Sequence, residues 1–279
     1  MLDATLPEFI DAAERAGFHR ITVRPFAFAR ALEAGWTEDV LQRRLADADI
    51  VVTMIDGLSI ALAGTPSVQD LDASVRARLP PDVFDPPDEE MCFRAATALG
   101  ASIVNVVHYM GPPLPADVLG AAAAGICRRA APLGLRICME FFPESGLPDL
   151  PSAMAVMEAC GEPNAAVLLD VFHLDRTGGT VEDVRRLPAG VIAGIQLSDR
   201  TTPAPGASHV PMGGRRLPGE GRLPLRELLE VALANSPHAT VDIEVLNDEL
   251  RSLPPDETAA RLAAVVTAWR GPTREAPTT

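Results

Sequence analysis

Residues 136–173 read RICMEFFPESGLPDLPSAMAVMEACGEPNAAVLLDVFH and contain two strand-like runs separated by one helical segment. The runs at 136–141 and 166–171 are short and almost continuously apolar, as in strands that are buried on both faces. Residues 149–160, between them, have the pattern of a helix. Because two strands joined through a helix pair in parallel, this stretch predicts an α/β fold with a parallel sheet.

The same alternation continues in both directions along the chain and predicts a single-domain (β/α)8 TIM barrel over residues 1–270, followed by a disordered tail at 271–279. We predict strands at 21–25, 50–57, 102–108, 136–141, 166–171, 192–197 and 240–245, and helices at 6–16, 37–48, 89–100, 116–132, 149–160, 180–187, 224–234 and 255–269. Such a barrel has eight strands, so the first strand is short, is missing, or the barrel closes differently. Residues 62–88 and 199–223 are predicted loops at the C-terminal rim.

Four polar side chains stand near the ends of strand-like runs in the C-terminal half: Glu140 in RICMEF, Asp170 in VLLDVFH, Gln196 in AGIQLSD and Glu244 in TVDIEV. A carboxylate or amide inside a buried strand is costly unless something pairs with it. In a closed parallel barrel the four would converge near the axis, where a divalent cation would relieve the repulsion between the carboxylates. Oxygen ligands favour Mn²⁺, Mg²⁺ or Co²⁺, with Zn²⁺ a further possibility. The alternative is that these groups are solvated at strand ends or pair with arginine.

Further polar residues surround this predicted site. His173 follows Asp170 by three positions and is placed to contact substrate and move a proton. His108 and Arg24 end two other strands and are candidate substrate contacts, although rim residues without a role explain them as well. Arg215 and Arg216 lie in the loop after the Gln196 strand and could clamp a substrate carboxylate or phosphate, or simply balance a negative surface.

Composition excludes several classes of protein. The net charge of −14 opposes binding to nucleic acid and to anionic membranes. The chain contains no lysine, which excludes lysine Schiff-base and pyridoxal phosphate chemistry and a P-loop. The N-terminus carries acids where a signal peptide has basic and apolar segments, and no apolar run reaches about 18 residues. We therefore expect a cytoplasmic protein that acts on a small molecule, with homo-oligomerisation possible.

The segments 137–179, IQLSD (195–199), RRLPGEG (215–221) and VDIEV (241–245) resemble the xylose-isomerase-like TIM barrels, a superfamily of sugar phosphate isomerases and epimerases, inosose dehydratases and 3-dehydroshikimate dehydratases. The resemblance implies that Glu140, Asp170, Gln196 and Glu244 are the metal ligands, that His173 is the motif histidine and that Arg215 precedes the family's turn. Glutamine at position 196 is most similar to the 3-dehydroshikimate dehydratase branch. The segment IDGLSIALAGTPSVQD (55–70) lacks that branch's substrate loop.

Local chemistry and the resemblance both imply proton removal next to a carbonyl, with His173, Glu140 or Glu244 as the base and the metal stabilising an enolate. Return of the proton gives an isomerase or epimerase, and loss of a β-hydroxyl gives a dehydratase. Two alternatives belong to other classes. An apurinic endonuclease of the same superfamily would need additional histidines for three zinc ions. A catalytically inactive barrel would serve as a binding protein.

Overall fold

The computed structural model describes residues 4–59, 73–77, 86–107, 113–202 and 214–270. Within these ranges seven strands form one parallel sheet, in which each strand lies beside its neighbours along the chain. The strands are Arg20–Val23 (β1), Val51–Leu58 (β2), Ile103–Val107 (β3), Arg136–Glu140 (β4), Ala165–Asp170 (β5), Ile192–Leu197 (β6) and Thr240–Ile243 (β7). Helices alternate with the strands, which confirms the predicted TIM barrel.

Most helix boundaries follow local capping signals. Thr5 and Glu8 form a reciprocal capping box at the start of α1, and Gly100 ends α5 with φ of 74°. The helices are Leu6–Arg15 (α1), Pro25–Glu33 (α2), Glu38–Asp47 (α3), Ala73–Arg76 (α4), Glu89–Leu99 (α5), Ala116–Ala130 (α6), Leu150–Cys160 (α7), Val171–Arg176 (α8), Val181–Arg185 (α9), Leu225–Asn235 (α10), Asp248–Arg251 (α11) and Pro255–Arg270 (α12).

Four of these helices, α2, α4, α8 and α11, were not predicted from the sequence pattern. Pro25 begins α2, because proline is well suited to the first turn of a helix, so β1 ends at Val23 instead of continuing to residue 25. Asp170 ends β5 and caps α8, which therefore follows the strand with no loop. The short helix α4 lies inside the segment 62–88 that was predicted as a loop. The predicted tail at 271–279 lies outside the described residues.

The barrel is nearly closed between its first and last strands. Among the described residues, β1 pairs only with β2, and β7 pairs only with β6. Across this seam Thr22 Oγ1 donates a hydrogen bond of 2.7 Å to Asp242 Oδ1. The described chain thus has seven strands, and no strand precedes α1 in it. These seven strands are the ones that the sequence predicted.

The barrel interior has an apolar layer with a polar layer above it. Residues two apart on a strand point to the same side, so one inward-facing set follows the other along each strand. Gly194 of β6 lies in the apolar layer, where an added Cβ would come within 2.6 Å of Leu168 Cδ1. The apolar layer contains Met54, Ile103, Cys138, Ala166, Leu168 and Ala193. The polar layer follows two positions later on the same strands, after Met54, Ile103, Cys138, Leu168 and Gly194. It contains Asp56, Asn105, Glu140, Asp170 and Gln196.

Candidate metal centre

The polar layer contains a compact group of potential metal ligands. Glu140, Asp170 and His173 each offer one ligand atom, and these atoms all lie within 4.8 Å of one another. His173 Nε2 is 3.7 Å from Glu140 Oε1 and 3.6 Å from Asp170 Oδ2. Asp170 is fully buried and Glu140 is 8% exposed. Two of the four predicted ligands therefore meet in space, together with the predicted catalytic histidine.

Asp170 also sets the position of His173. Its Oδ1 accepts hydrogen bonds from the backbone N–H groups of Phe172 at 2.7 Å and His173 at 3.4 Å, as the N-cap of α8. One carboxylate oxygen is thus used by the helix, and Oδ2 remains directed at the cluster. The D-x-x-H spacing of the sequence has a local physical reason, because the capped first turn places the third residue beside its own cap.

Arg215 lies inside the carboxylate cluster and is 5% exposed. Its Nη2 is 2.6 Å from Asp170 Oδ2, 3.0 Å from Glu244 Oε2 and 3.2 Å from His173 Nε2. Its Nη1 donates to Ser198 Oγ at 3.1 Å. Since a guanidinium can only donate, the imidazole accepts this contact at Nε2 and is neutral. The alternative of arginine pairing, raised from the sequence, therefore holds for two of the four acid and amide residues.

Gln196 is 2% exposed and has its amide held from one side. Its Nε2 donates to Asp56 Oδ2 at 2.8 Å, and among the described residues its Oε1 has no hydrogen-bond partner. His173 Nδ1 is another buried atom without a partner in the part of the chain that the structure describes. Buried polar atoms nearly always have partners, so an orphaned amide oxygen on the strand beside Asp170 indicates room for a ligand. Carboxylate and amide oxygens with one imidazole fit a divalent cation.

The fold shifts the pKa values of the carboxylates and of the histidine away from their ordinary values. Burial, together with the nearby charges of Glu244, Asp56 and Asp170, raises the pKa of Glu140 well above its usual range. Burial also raises the pKa of Glu244 to about 8, although Arg215 opposes this. Burial would raise the pKa of Asp170 as well, but its contacts with Arg215 hold it below the ordinary value. Burial lowers the pKa of His173 to about 3.

A model of the xylose isomerase-like TIM barrel family matches residues 10–268, nearly the whole chain. The chain belongs to this family. This agrees with the resemblance that the sequence motifs predicted.

Individual relatives are distant. An inosose isomerase from Halalkalibacterium halodurans is 24% identical over 135 residues, which are 46% of this chain and 45% of the relative. A crystal structure of the IolI protein with a bound zinc atom superposes with a TM-score of 0.75 at 16% identity, over 94% of this chain and 92% of that one. The probable 3-dehydroshikimate dehydratase AsbF of Bacillus anthracis gives 0.69 at 15% identity, over 94% and 93%. These structures share the fold of this family member.

The remaining sequence-predicted residues are more scattered. Arg24 occupies the N-cap position of α2. Its positive charge opposes the rise in the pKa of Asp56 and Glu244, so it lies on the side of the site near β1. Arg216 is exposed, and its backbone pairs with that of Asp199 in a short antiparallel bridge. His108 lies outside the described residues, and so does the segment 203–213 of the predicted loop 199–223.

Two residues of the polar layer were not predicted. Asp56 stands in the apolar run IVVTMIDG and Asn105 in SIVNVV, which is the same signal that identified Glu140 and Asp170. Asn105 is fully buried. A search for polar residues in every strand-like run, and not only in the C-terminal half, would have found both. Finally, no described helix is long and apolar enough to span a membrane.

Proposed function

We propose that this protein is a divalent-metal-dependent isomerase, epimerase or dehydratase that acts on a small polyhydroxylated carbonyl compound. The observation that carries the proposal is the convergence of Glu140, Asp170 and His173 within 4.8 Å beside an unpartnered Gln196 amide oxygen. We assign Glu140, Asp170, Gln196 and Glu244 as the ligands of one divalent cation. The sugar-related names of the relatives and their shared fold support this class of substrate.

The chain's own residues divide the chemistry among them. A bound divalent cation would polarise the substrate carbonyl and stabilise negative charge on its oxygen. We assign proton transfer at the neighbouring carbon to Glu140 or Glu244. The burial of Glu140 and the partial burial of Glu244 raise their pKa values, and a carboxylate with a raised pKa is a stronger base than an ordinary glutamate. His173, neutral and fixed by Asp170 and Arg215, makes a directed hydrogen bond to a substrate oxygen or relays the proton.

Arg215 is not available as a substrate clamp while it pairs with Asp170 and Glu244. Its role in the proposal is to neutralise these carboxylates and to orient them together with His173. A carboxylate on the substrate would instead be bound by the exposed Arg216 or by Arg24. We therefore keep an acidic substrate within the proposal, without assigning its charge to Arg215.

A 3-dehydroshikimate dehydratase is the second candidate. Gln196 favours it, because the sequence resembles that branch at this position, and the AsbF fold is among the structural neighbours. The two candidates share the initial proton removal and differ in whether a β-hydroxyl then leaves. Incubation in D₂O with Mn²⁺ distinguishes them: an isomerase or epimerase incorporates deuterium next to the carbonyl of a keto-sugar or inosose, and a dehydratase forms the aromatic product from 3-dehydroshikimate.

Metal analysis of the purified protein, with Glu244→Ala prepared in parallel, tests the proposal first. We expect about one equivalent of a divalent metal in the wild type and little in the variant. The absence of metal from both proteins, even after incubation with Mn²⁺, would contradict the enolisation chemistry. That result would favour a barrel that has lost catalysis and serves as a binding protein.

A further inference from the structure

Asp56 of β2 occupies a central position in the polar layer without being one of the predicted ligands. Its Oδ1 accepts a 2.8 Å hydrogen bond from Asn105 Nδ2, and its Oδ2 accepts one of 2.8 Å from Gln196 Nε2. The carboxylate thus joins β2 to β3 on one side and to β6 on the other. Among all carboxylates in the described chain, Asp56 is distinctive in accepting from two buried side-chain amides.

The contact with Asn105 continues to Glu140. Asn105 Nδ2 also donates to Glu140 Oε2 at 2.8 Å, so one amide group links the two carboxylates. Asn105 is fully buried, and its Oδ1 lies 3.7 Å from Cys138 Sγ. With its nitrogen shared by two acceptors, the Asn105 amide has one favourable orientation, and this orientation holds Oε2 of Glu140 in place.

The contact with Gln196 decides which end of that amide is free. A carboxylate can only accept hydrogen bonds, so it selects Nε2 of Gln196 and leaves Oε1 without a partner within the described ranges. An amide oxygen can coordinate a divalent cation, whereas an amide NH₂ group repels one. The hydrogen bond that Asp56 Oδ2 accepts therefore sets the orientation of Gln196 in which coordination is possible.

We propose that Asp56 is the positioning residue of the metal centre: it orients the Gln196 amide with its oxygen free for the cation and, through Asn105, fixes Glu140. The inference rests on the proposed metal-dependent function and adds a residue outside its ligand set. Two ligands from β4 and β6 then depend on one side chain from β2, in the half of the barrel that supplies no ligand. Residues that orient metal ligands typically change metal affinity about 10- to 100-fold when they are replaced.

The variant Asp56→Asn tests this orientation with almost no change in shape. The new Oδ1 can accept from Asn105, and the new Nδ2 then faces Gln196 Nε2, so two donors meet. The Gln196 amide is expected to turn over, so that its Oε1 accepts a hydrogen bond from the Nδ2 at position 56 and its NH₂ group faces the cation. We expect the Mn²⁺ dissociation constant, measured by electron paramagnetic resonance of free Mn²⁺, to rise about 10- to 100-fold.

The double variant Asp56→Asn with Gln196→Glu exchanges the hydrogen-bond donor and acceptor between positions 56 and 196, so the two side chains can pair again. The amide at position 56 donates to one carboxylate oxygen of residue 196 and still accepts from Asn105, and the other oxygen of residue 196 is free for the cation. We expect Mn²⁺ affinity to return to within about threefold of the wild type. A double variant that binds no better than Asp56→Asn would overturn the inference.

Asp242→Asn is the matched control for loss of a carboxylate at the same level of the barrel, because Asp242 of β7 is the register partner of Gln196. Asp242 bonds to Thr22 and contacts none of the predicted ligands through its hydrogen bonds. We expect its Mn²⁺ affinity to stay within about threefold of the wild type. Equal weakening in Asp56→Asn and Asp242→Asn would show that only the charge matters and would contradict a positioning role.

Asn105→Ser tests the contact that runs from Asp56 through Asn105 to Glu140. It also replaces Asp56→Asn as the test variant if that protein does not fold. This variant breaks the link from Asp56 to Glu140 and keeps the hydrogen bond between Asp56 and Gln196. We therefore expect a smaller loss of Mn²⁺ affinity, about three- to tenfold. An unchanged Mn²⁺ affinity in Asn105→Ser would contradict the proposed role of this contact in fixing Glu140. Wild-type protein that binds no Mn²⁺ would refute the proposed function itself, whereas wild-type binding with an unaffected Asp56→Asn variant would refute only this inference. Circular dichroism and thermal unfolding confirm folding for each protein.

Discussion

The sector of the barrel formed by β4, β5 and β6 differs from the seam between β7 and β1. Nearly every residue of β4 to β6 is buried, whereas β7 has no fully buried residue and Val241 is 44% exposed. The three strands are joined by continuous backbone pairing, and across the seam the described chain shows a side-chain hydrogen bond from Thr22 to Asp242.

The ligand candidates follow this difference. Glu140, Asp170 and Gln196 come from the tightly packed sector, and Glu244 follows β7 at the looser seam, with its side chain 28% exposed. Arg215 connects the two regions by pairing with both Asp170 and Glu244. Under the proposed function, the buried strands would hold their coordinating groups within narrow limits. The partly exposed Glu244 at the seam would have more freedom to move when a cation or substrate binds.

The largest effect on metal binding and turnover is expected for the two glutamates that the β4–β6 sector and the seam supply to the site. Glu140→Ala and Glu244→Ala should each abolish metal binding and lower turnover by about 10³-fold or more, equal to about 4 kcal/mol in the barrier. The measurement is metal content and turnover, with the exposed Glu230→Ala as the control. If Glu244→Ala retains metal and activity, the seam between β7 and β1 does not contribute to the site.

Removal of the connection between the regions should reduce stability. Arg215→Met leaves the buried Asp170 carboxylate without its main partner, so we expect the free energy of unfolding of the metal-free protein to fall by about 3 kcal/mol. Urea unfolding in the presence of a chelator measures it. The exposed neighbour Arg216→Met should change stability by less than about 0.5 kcal/mol. Similar losses in the two variants would indicate that the buried pairing is not important.

The seam carboxylate should also make stability depend on pH. The pKa of Glu244 rises from its ordinary 4.5 to about 8 in the fold, so the folded state holds a proton that the unfolded state releases. Metal-free stability should therefore fall as pH rises from 6.5 to 8, by about 1 kcal/mol per pH unit. His173 acts in the opposite sense only below its ordinary 6.5.

Urea unfolding at pH 6.5 and pH 8.0 in a chelator, with Glu244→Gln beside the wild type, checks this prediction. The variant should lose part of the slope, because its amide does not titrate. Saturating Mn²⁺ should reverse the trend, since metal ligands must be deprotonated. An identical slope in both metal-free proteins would assign the pH dependence to other groups.

The smallest effect is expected at the seam itself. Thr22→Val removes the hydrogen bond to Asp242 and should cost about 1 kcal/mol. Backbone amide exchange is the more informative measurement, because it resolves local opening. Exchange should accelerate in β1 and β7 and remain unchanged in β4 to β6. Uniform acceleration in all strands would mean that the seam and the packed sector open together.

Local sequence patterns predict most of the strands and helices. The alternation of apolar runs and helical segments predicts all seven described strands, because strand and helix periods are properties of neighbouring residues. Glu140 and Asp170 are predicted because an acid in an apolar run is locally unusual, and His173 because it follows Asp170 by three positions. The structure adds that Asp170 caps the helix in which His173 lies. The helix α8 is missed, since its six residues are too few to show a period.

Only the tertiary structure decides how these residues are paired. Gln196 and Asp56 are 140 positions apart, and Asn105 and Glu140 are 35 apart, so their contacts exist only after the barrel brings β2, β3, β4 and β6 around one axis. Arg215 is seen in sequence as a loop arginine, and its burial among Asp170 and Glu244 follows from the path of the chain. The sequence alone determines which residues are unusual, because that is a local property. Which of them neutralise, orient or oppose one another is a matter of distance, and distance is set by the fold.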